Sequence, residues 1–196
     1  MMTQQQQNNI VKKTVFDNFL EEKDFIELKN WIYSNDFEWF YTNHFIAYAE
    51  GAPYHRNRND ENNNSSYFFT HLFYDNHIPR SAHYERLLPL LNKIQDTSNP
   101  TGEGINRGIK SLMRIRANFY PNTNTMFEHP MHVDAPFSHT AATLAFNTCD
   151  GYLKFIDGTN VGSVANRIIF FDAGLEHCST TTTNDKNRIN IIVNFL

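Results

Sequence analysis

A chain of 196 residues with 40% hydrophobic and 14% aromatic side chains can bury one sizeable core. Its net charge of -4 gives no electrostatic footprint for phosphate backbones and counts against a nucleic-acid partner. No apolar run approaches a membrane span, the start MMTQQQQNNIVKK lacks the apolar centre of a secretory signal, and only two cysteines, Cys149 and Cys178, argue against a disulfide scaffold and for a reducing cytoplasm.

Residues 1–12, rich in Gln and Asn, read as a disordered tail, and residues 13–196 as a single domain. Phe25, Leu28, Trp31 and Ile32 recur at helical spacing and predict a helix from about Glu21 to Ser34. HFIAYAE and SSYFFTHLFYD, aromatic and β-branched, predict strands. The polar, Asn-rich stretch from Gly51 to Ser66 between them is either a solvated connection or a lid over a site. SAHYERLLPLLNKIQDT predicts a second helix with Tyr84, Leu87, Leu88, Leu91 and Ile94 on one side, kinked or truly started at Pro89. SNPTGEGINRG is a turn-rich break. From Leu112 the short runs LMRIRANFY, AATLAFNTC, GYLKFI, NRIIFF and RINIIVNFL predict strands. Helices first and strands later make an α+β fold with a β-rich catalytic half.

The candidate chemistry begins in EHPMHVDAPFSH. His132 and Asp134 alternate on an extended segment, so both side chains point to one side and can reach one ion. H-x-D alone is a weak signal. His177, after the strand NRIIFF, supplies a third candidate ligand, and two His with one carboxylate is the facial triad of non-haem Fe(II) oxygenases. Alternation divides the last strand into Arg188, Asn190, Ile192 and Asn194 on one face and Ile189, Ile191, Val193 and Phe195 on the other. The strand LMRIRANFY divides likewise, with Arg114, Arg116, Asn118 and Tyr120 opposite Met113, Ile115, Ala117 and Phe119. The pattern implies helices packed outside and a polar pocket inside, where a dicarboxylate would pair one of the arginines. Arg114 and Arg116 have a plainer reading as partners of acids. His129 and His139 read as surface residues, Cys178 as a small buried hydrophobe, and STTTTND as a polar turn.

Together these residues resemble the 2-oxoglutarate and Fe(II)-dependent oxygenases, and their order is most similar to the prolyl-4-hydroxylase-like branch. NFYPNTNTMFEHPMHVD resembles that branch's Tyr-Pro, turn and H-x-D; NRIIFFDAGLEHCS resembles the strand before the distal His; NRINIIVNFL resembles the last strand with its 2-oxoglutarate-binding Arg. The likeness covers about Leu112 to Leu196 and resembles most the small members of bacteria and their phages. It implies a double-stranded β-helix (jelly roll) with amino-terminal helices on the major sheet. It implies Fe(II) held by His132, Asp134 and His177, 2-oxoglutarate as cosubstrate with its distal carboxylate on Arg188, Tyr120 as a cosubstrate contact, and ascorbate in support. Two features depart from the branch. Asp150 stands where glycine is commoner, and the spacing from Tyr120 to His132 is longer.

The expected activity is hydroxylation of an unactivated C–H bond, on a peptidyl proline or other protein or amino-acid substrate, in the cytoplasm (a host's, for a phage gene). A small-molecule or nucleobase oxygenase on the same centre, and a catalytically silent jelly-roll binding module, are the alternatives.

Overall fold

A computed structural model of the protein describes residues 12–42, 46–47, 55–56, 67–97 and 108–196. The tail to residue 11, most of the Gly51–Ser66 stretch and most of the SNPTGEGINRG break lie outside the described residues, and with them the lid expectation.

The large sheet is built from β1 (Lys13–Phe16), β2 (Phe40–Thr42), β5 (Phe68–Asp75), β6 (Ile78–Pro79), β7 (Leu112–Pro121), β8 (Thr140–Ala145), β11 (Ile168–Asp172) and β13 (Asn187–Phe195). Its order is β1-β11-β8-β13-β7-β5-β2, with β6 paired to β5, and every pairing is antiparallel. A small sheet, ordered β10-β9-β12, contains β9 (Tyr152–Phe155), β10 (Asn160–Gly162) and β12 (His177–Ser179). β3 (Ile46–Ala47) and β4 (His55–Arg56) pair with each other. The helices are α1 (Glu22–Ile32) and α2 (Leu88–Asp96), the latter entered through a 3-10 turn at Tyr84–Leu87.

Strand alternation sorts the core into two layers. Ala141, Ile169, Phe171 and Ile192 of the large sheet cluster with Leu153 and Phe155 of the small one. The two sheets therefore close on each other as a jelly roll. The opposite face of the large sheet, with Ile115, Ala117, Leu144, Ile168, Phe170, Ile189, Ile191 and Val193, shares a second cluster with Phe25, Leu28 and Ile32 of α1 and Leu90, Leu91 and Ile94 of α2. Phe25 stacks on Phe146 at 5.8 Å between ring centroids. No helix among the described residues is long and apolar enough to cross a membrane.

Pro89 occupies the first turn of α2, where its missing N–H costs nothing, so it starts the helix rather than kinking it. That start resets the helical phase. Leu88, expected on the apolar side, is 43% exposed, and Leu90 takes the buried position. The short edge strand β1, with its lysine, carries no pattern that foretold it, yet it pairs with β11 from Lys13↔Phe171 to Phe16↔Ile168.

Beyond the β1 pairing, one asparagine binds the amino-terminal segment to the barrel. Asn166, at φ 59°, accepts the Leu20 N–H on Oδ1 at 2.9 Å and donates Nδ2 to the Leu20 carbonyl at 2.9 Å. Removing it strands two buried backbone groups and puts a β-carbon without a polar tip in the left-handed region. Asn166→Ala should lower unfolding stability by about 2–5 kcal/mol in chemical denaturation, with the same fold retained by circular dichroism.

Candidate metal and anion site

After β7 the chain runs irregularly alongside β12, joined to it by isolated bridges at Glu128↔Thr180 and His132↔His177. His132 N–H donates to the His177 carbonyl and His177 N–H to the His132 carbonyl, both at 2.9 Å, while Asp134 N–H donates to Ala173. This ladder brings His132, Asp134 and His177 together. Their donor atoms all lie within 4.8 Å of one another, and all three residues are buried. His132 Nε2 is 4.0 Å and His177 Nε2 3.9 Å from the two Asp134 oxygens.

Each imidazole has its tautomer set by the backbone. Nδ1 of His132 donates to the Pro130 carbonyl at 3.1 Å, and Nδ1 of His177 to Leu175 at 2.9 Å. Nε2 is then the lone-pair nitrogen on both rings, as a metal ligand requires. Burial, reinforced by His177, pulls His132 down to about 4, so the ring is neutral at physiological pH. For Asp134, burial pushes upward, but Arg114, His177, His132 and Arg116 outweigh it and hold the carboxyl well below the usual range.

Asp134 is gripped from β7 and β13. Arg114 Nη2 donates to Oδ1 at 2.6 Å, and Asn194 Nδ2 donates to Oδ2 at 2.9 Å. Asn194 also accepts from Arg114 at 3.2 Å and donates to His139 Nε2 at 3.2 Å. His139 Nδ1 lies 2.9 Å from the Phe137 carbonyl. His139 and His129 are both buried, which corrects their expected place on the surface. His129 sits among Phe68, Tyr120 and Phe127, and burial followed by the Arg188 charge lowers it to about 3. A cavity of about 370 Å³ opens beside Arg114, Asp134, His139 and Asn194 and is bounded by the Asp75–His77 turn.

The inner faces of β7 and β13 meet as a polar ladder in register: Arg188 opposite Tyr120, Asn190 opposite Asn118, Ile192 opposite Arg116, Asn194 opposite Arg114. Asn118 donates to Asn190 at 2.9 Å. Arg188 is buried, its guanidinium 5.4 Å from the Tyr120 ring centroid, with one hydrogen bond to the Thr180 carbonyl at 3.3 Å. Its Nε has no hydrogen-bond partner, and no carboxylate pairs with it among the described residues. Burial lowers its pKa. Gly151 leaves the room: a β-carbon there would stand 2.5 Å from Arg188 Cδ and 2.7 Å from the Thr181 carbonyl. Thr180 is three residues past His177, roughly 10 Å along an extended chain.

The stretch STTTTND is more than a polar turn. Thr180, Thr181 and Thr182 are fully buried, because the segment after β7 covers them: Thr123 Oγ1 meets Thr181 Oγ1 at 2.6 Å and Phe127 N–H donates to Thr181 Oγ1 at 2.9 Å. Asp150 clamps the same turn, accepting from Thr182 Oγ1 at 2.7 Å, Thr183 N–H at 2.9 Å and Thr183 Oγ1. An aspartate thus stands at this position because its carboxylate organises the loop behind Arg188. Cys178 is buried, as expected. Sequence reasoning did not find the Arg114–Asp134–Asn194–His139 network; its signal was the alternation that placed Arg114 and Asn194 inside.

The donor set fits a first-row divalent ion with open positions: two imidazoles, each with Nδ1 engaged by a backbone carbonyl and Nε2 turned to the cluster, and one ionised carboxylate. Arg188 fits a carboxylate, being a buried cation with no anion beside it among the described residues. No family model matches the chain, and no curated protein matches it in sequence. Solved structures do match in fold. A prolyl hydroxylase from Trichoplax adhaerens, in complex with a hypoxia inducible factor peptide fragment, is similar over 96% of this chain and 86% of its own, with a TM-score of 0.56 and 13% identity. A viral collagen prolyl hydroxylase from Paramecium Bursaria Chlorella virus-1, in its 2OG complex, is similar over 95% and 96%, at TM-score 0.55 and 11% identity. An oxidoreductase of the 2OG-Fe(II) oxygenase family from Burkholderia pseudomallei is similar over 97% and 87%, at TM-score 0.58 and 10% identity. At such identities the likeness establishes the jelly-roll fold.

Asp150 gives a pH dependence with a definite sign. Partial burial pulls its pKa up, but the hydrogen bonds from Thr183, Thr182 and Asn184's backbone side outweigh it and bring it down to about 2 from 3.8. A depressed folded pKa contributes stability above the unfolded value that is lost as pH falls through the folded one. Asp150→Asn should therefore be less stable than the parent above about pH 4, and the gap should close between about pH 4 and 2 in thermal melts.

Proposed function

We propose that the protein is an Fe(II)- and 2-oxoglutarate-dependent dioxygenase that hydroxylates an unactivated C–H bond. The observation that carries this reading is the pairing of two features in one barrel. A two-His, one-carboxylate cluster has both tautomers set for metal binding, and a buried Arg188, without an anion among the described residues, stands about one strand segment away. Bound Fe(II), with 2-oxoglutarate and oxygen, supplies the C–H oxidation and leaves succinate and carbon dioxide.

The chain's own part is positional. His132 and His177 each offer Nε2 while Nδ1 is anchored on a backbone carbonyl. Asp134 stays ionised and oriented because Arg114 and Asn194 hold its two oxygens, each of which keeps a lone pair. Arg188 takes the distal carboxylate, and Tyr120 beside it lines the same space as the cosubstrate contact. The substrate class is a peptidyl proline or another protein or amino-acid group. Support comes from two similar folds that are prolyl hydroxylases, one of them solved with a peptide, and from the cavity beside Asp134 that leaves room for a side chain. The same reading treats residues 13–196 as one domain, with α1 and α2 buttressing the outer face of the large sheet through contacts such as Phe25 on Phe146. It also keeps the cytoplasm as the place of action, where Fe(II) and 2-oxoglutarate are both at hand.

His132→Ala should abolish stoichiometric Mn(II) binding in isothermal titration and succinate formation, with the circular dichroism spectrum unchanged. Retained one-to-one Mn(II) binding would remove His132 from the site. Arg188→Ala should weaken 2-oxoglutarate binding to the anaerobic, metal-loaded protein by about 100- to 1000-fold, the size expected for leaving one partner of a buried ion pair alone. Succinate release screened against proline-containing peptides, free amino acids and nucleosides tests the substrate class. Turnover with nucleosides alone would overturn the peptide reading.

A further inference from the structure

Arg116 is a second guanidinium in the barrel that the assignment above leaves unused. It projects from β7 to the inner face, opposite Ile192 and between Arg114 and Asn118. Arg114 is committed to Asp134 at 2.6 Å. Arg116 has no salt-bridge partner among the described residues, and its Nε is shut off from solvent without a hydrogen-bond partner. Its guanidinium lies 6.0 Å from the Phe68 ring centroid. Phe68 in turn stacks on Tyr120 at 5.5 Å and 19° between planes, and Tyr120 carries Arg188 at 5.4 Å. Two cations therefore flank one stacked aromatic pair. The Arg116 charge also reaches the triad, acting on both His132 and Asp134.

The backbone spacing of the two positions is of the order a short dicarboxylate can bridge. Arg188 stands opposite Tyr120, four residues from Arg116, or roughly 13 Å along a strand. A five-carbon diacid spans about 5 Å between its carboxyl carbons. With one ion-pair contact of about 4 Å at each end, it reaches about the same distance. Arg116 is not among the residues bounding the open cavity at Asp134.

We propose that Arg116 is a second carboxylate-binding residue, which takes the keto-acid carboxylate of the cosubstrate while Arg188 takes the far one. This rests on the 2-oxoglutarate reading and deepens it. The chain then grips the diacid at both ends with its own side chains, and the metal is not the only cation at the keto-acid end. An uncharged residue at position 116 would leave that carboxylate facing the metal alone.

The test separates the two ends with two ligands and four proteins. Mn(II)-loaded, oxygen-free parent, Arg116→Met, Arg116→Lys and Arg188→Met proteins are titrated with 2-oxoglutarate and with 2-oxopentanoate, which keeps the keto-acid end and lacks the far carboxylate. Arg116→Met should weaken both ligands by a similar factor of about 10- to 100-fold. Arg116→Lys should recover part of that loss, since it keeps the charge without the fork. Mn(II) affinity without ligand should hold or rise in Arg116→Met, because a like charge near the ion is gone; this excludes general damage to the site. Arg188→Met should weaken 2-oxoglutarate and leave 2-oxopentanoate unchanged. Unchanged affinity for both ligands in Arg116→Met overturns the proposal and leaves the 2-oxoglutarate reading standing. Loss confined to 2-oxoglutarate in that variant also overturns it, by moving Arg116 to the far carboxylate. A parent protein that binds neither ligand overturns the 2-oxoglutarate reading, and the proposal with it.

Discussion

A guanidinium group turned inward from a β-strand has to be met by an anion or by water, because the strand itself offers it no acceptor: its neighbours' carbonyls are already in the ladder. Three such groups, Arg114, Arg116 and Arg188, point into this barrel from two adjacent strands. Only one carboxylate of the described residues, Asp134, comes to them, and it goes to Arg114. The remaining positive charge is what the rest of the inner surface is arranged around. Tyr120 and Phe68 supply ring faces to the two other arginines, Gly151 supplies room for the Arg188 side chain, and the Thr180 carbonyl supplies a hydrogen bond to the Arg188 guanidinium. A pocket so furnished is unfavourable as an empty core and favourable as a receptor for a compact anion.

Everything in that arrangement depends on one strand pairing. β7 and β13 align from Asn187↔Pro121 to Asn194↔Arg114 without a shift, and this puts Arg188 beside Tyr120 and Asn194 beside Arg114. A slip of one residue would exchange the faces, sending Ile189, Ile191 and Val193 into the pocket and the arginines into the helices. The apolar outer face makes such a slip costly, because those residues fill a cluster with α1 and α2. The register that seals the outer core therefore aims the inner cations, and stability and site geometry come from the same alternation.

This is also why so much of the site was legible in the amino-acid order. RINIIVNFL and LMRIRANFY announce the inner and outer faces by parity alone, and the H-x-D spacing announces two side chains on one side. Where reasoning from sequence fell short, the cause was long-range. Nothing local says that Arg114 will meet Asp134, 20 residues on, or that Asn194 will meet it from 60 residues away. His129 and His139 look like loop residues because each stands alone among turn formers, and they are buried because long-range neighbours pack on them: Phe68 and Tyr120 on His129, Asn194 on His139. The threonines at 180–182 look like surface for the same reason, and Thr123 and Phe127 cover them. Leu88 was misplaced by a local rule that won over periodicity: a proline in the first turn restarts the helix and rotates its face.

Asp134 shows how the two ends of the site are joined. A buried carboxylate without a cation would ordinarily gain a proton, and a protonated acid is a poor metal ligand. Arg114 prevents that, and Asn194 fixes the rotation of the carboxylate by taking the second oxygen. Asn194 in turn is fixed because its amide nitrogen serves both Asp134 and His139 while its oxygen accepts from Arg114. Each group in the loop has its donor and acceptor assigned by another, so the rotation of one side chain sets the rest. The same β7 that carries Arg114 to the His132–Asp134–His177 cluster carries Tyr120 to the Arg188 end, with Arg116 between them. The orientation of Asp134 at the triad and the placement of Arg188 beside Tyr120 are thus two consequences of the inner face of a single strand, and a change that tilts β7 would disturb both together.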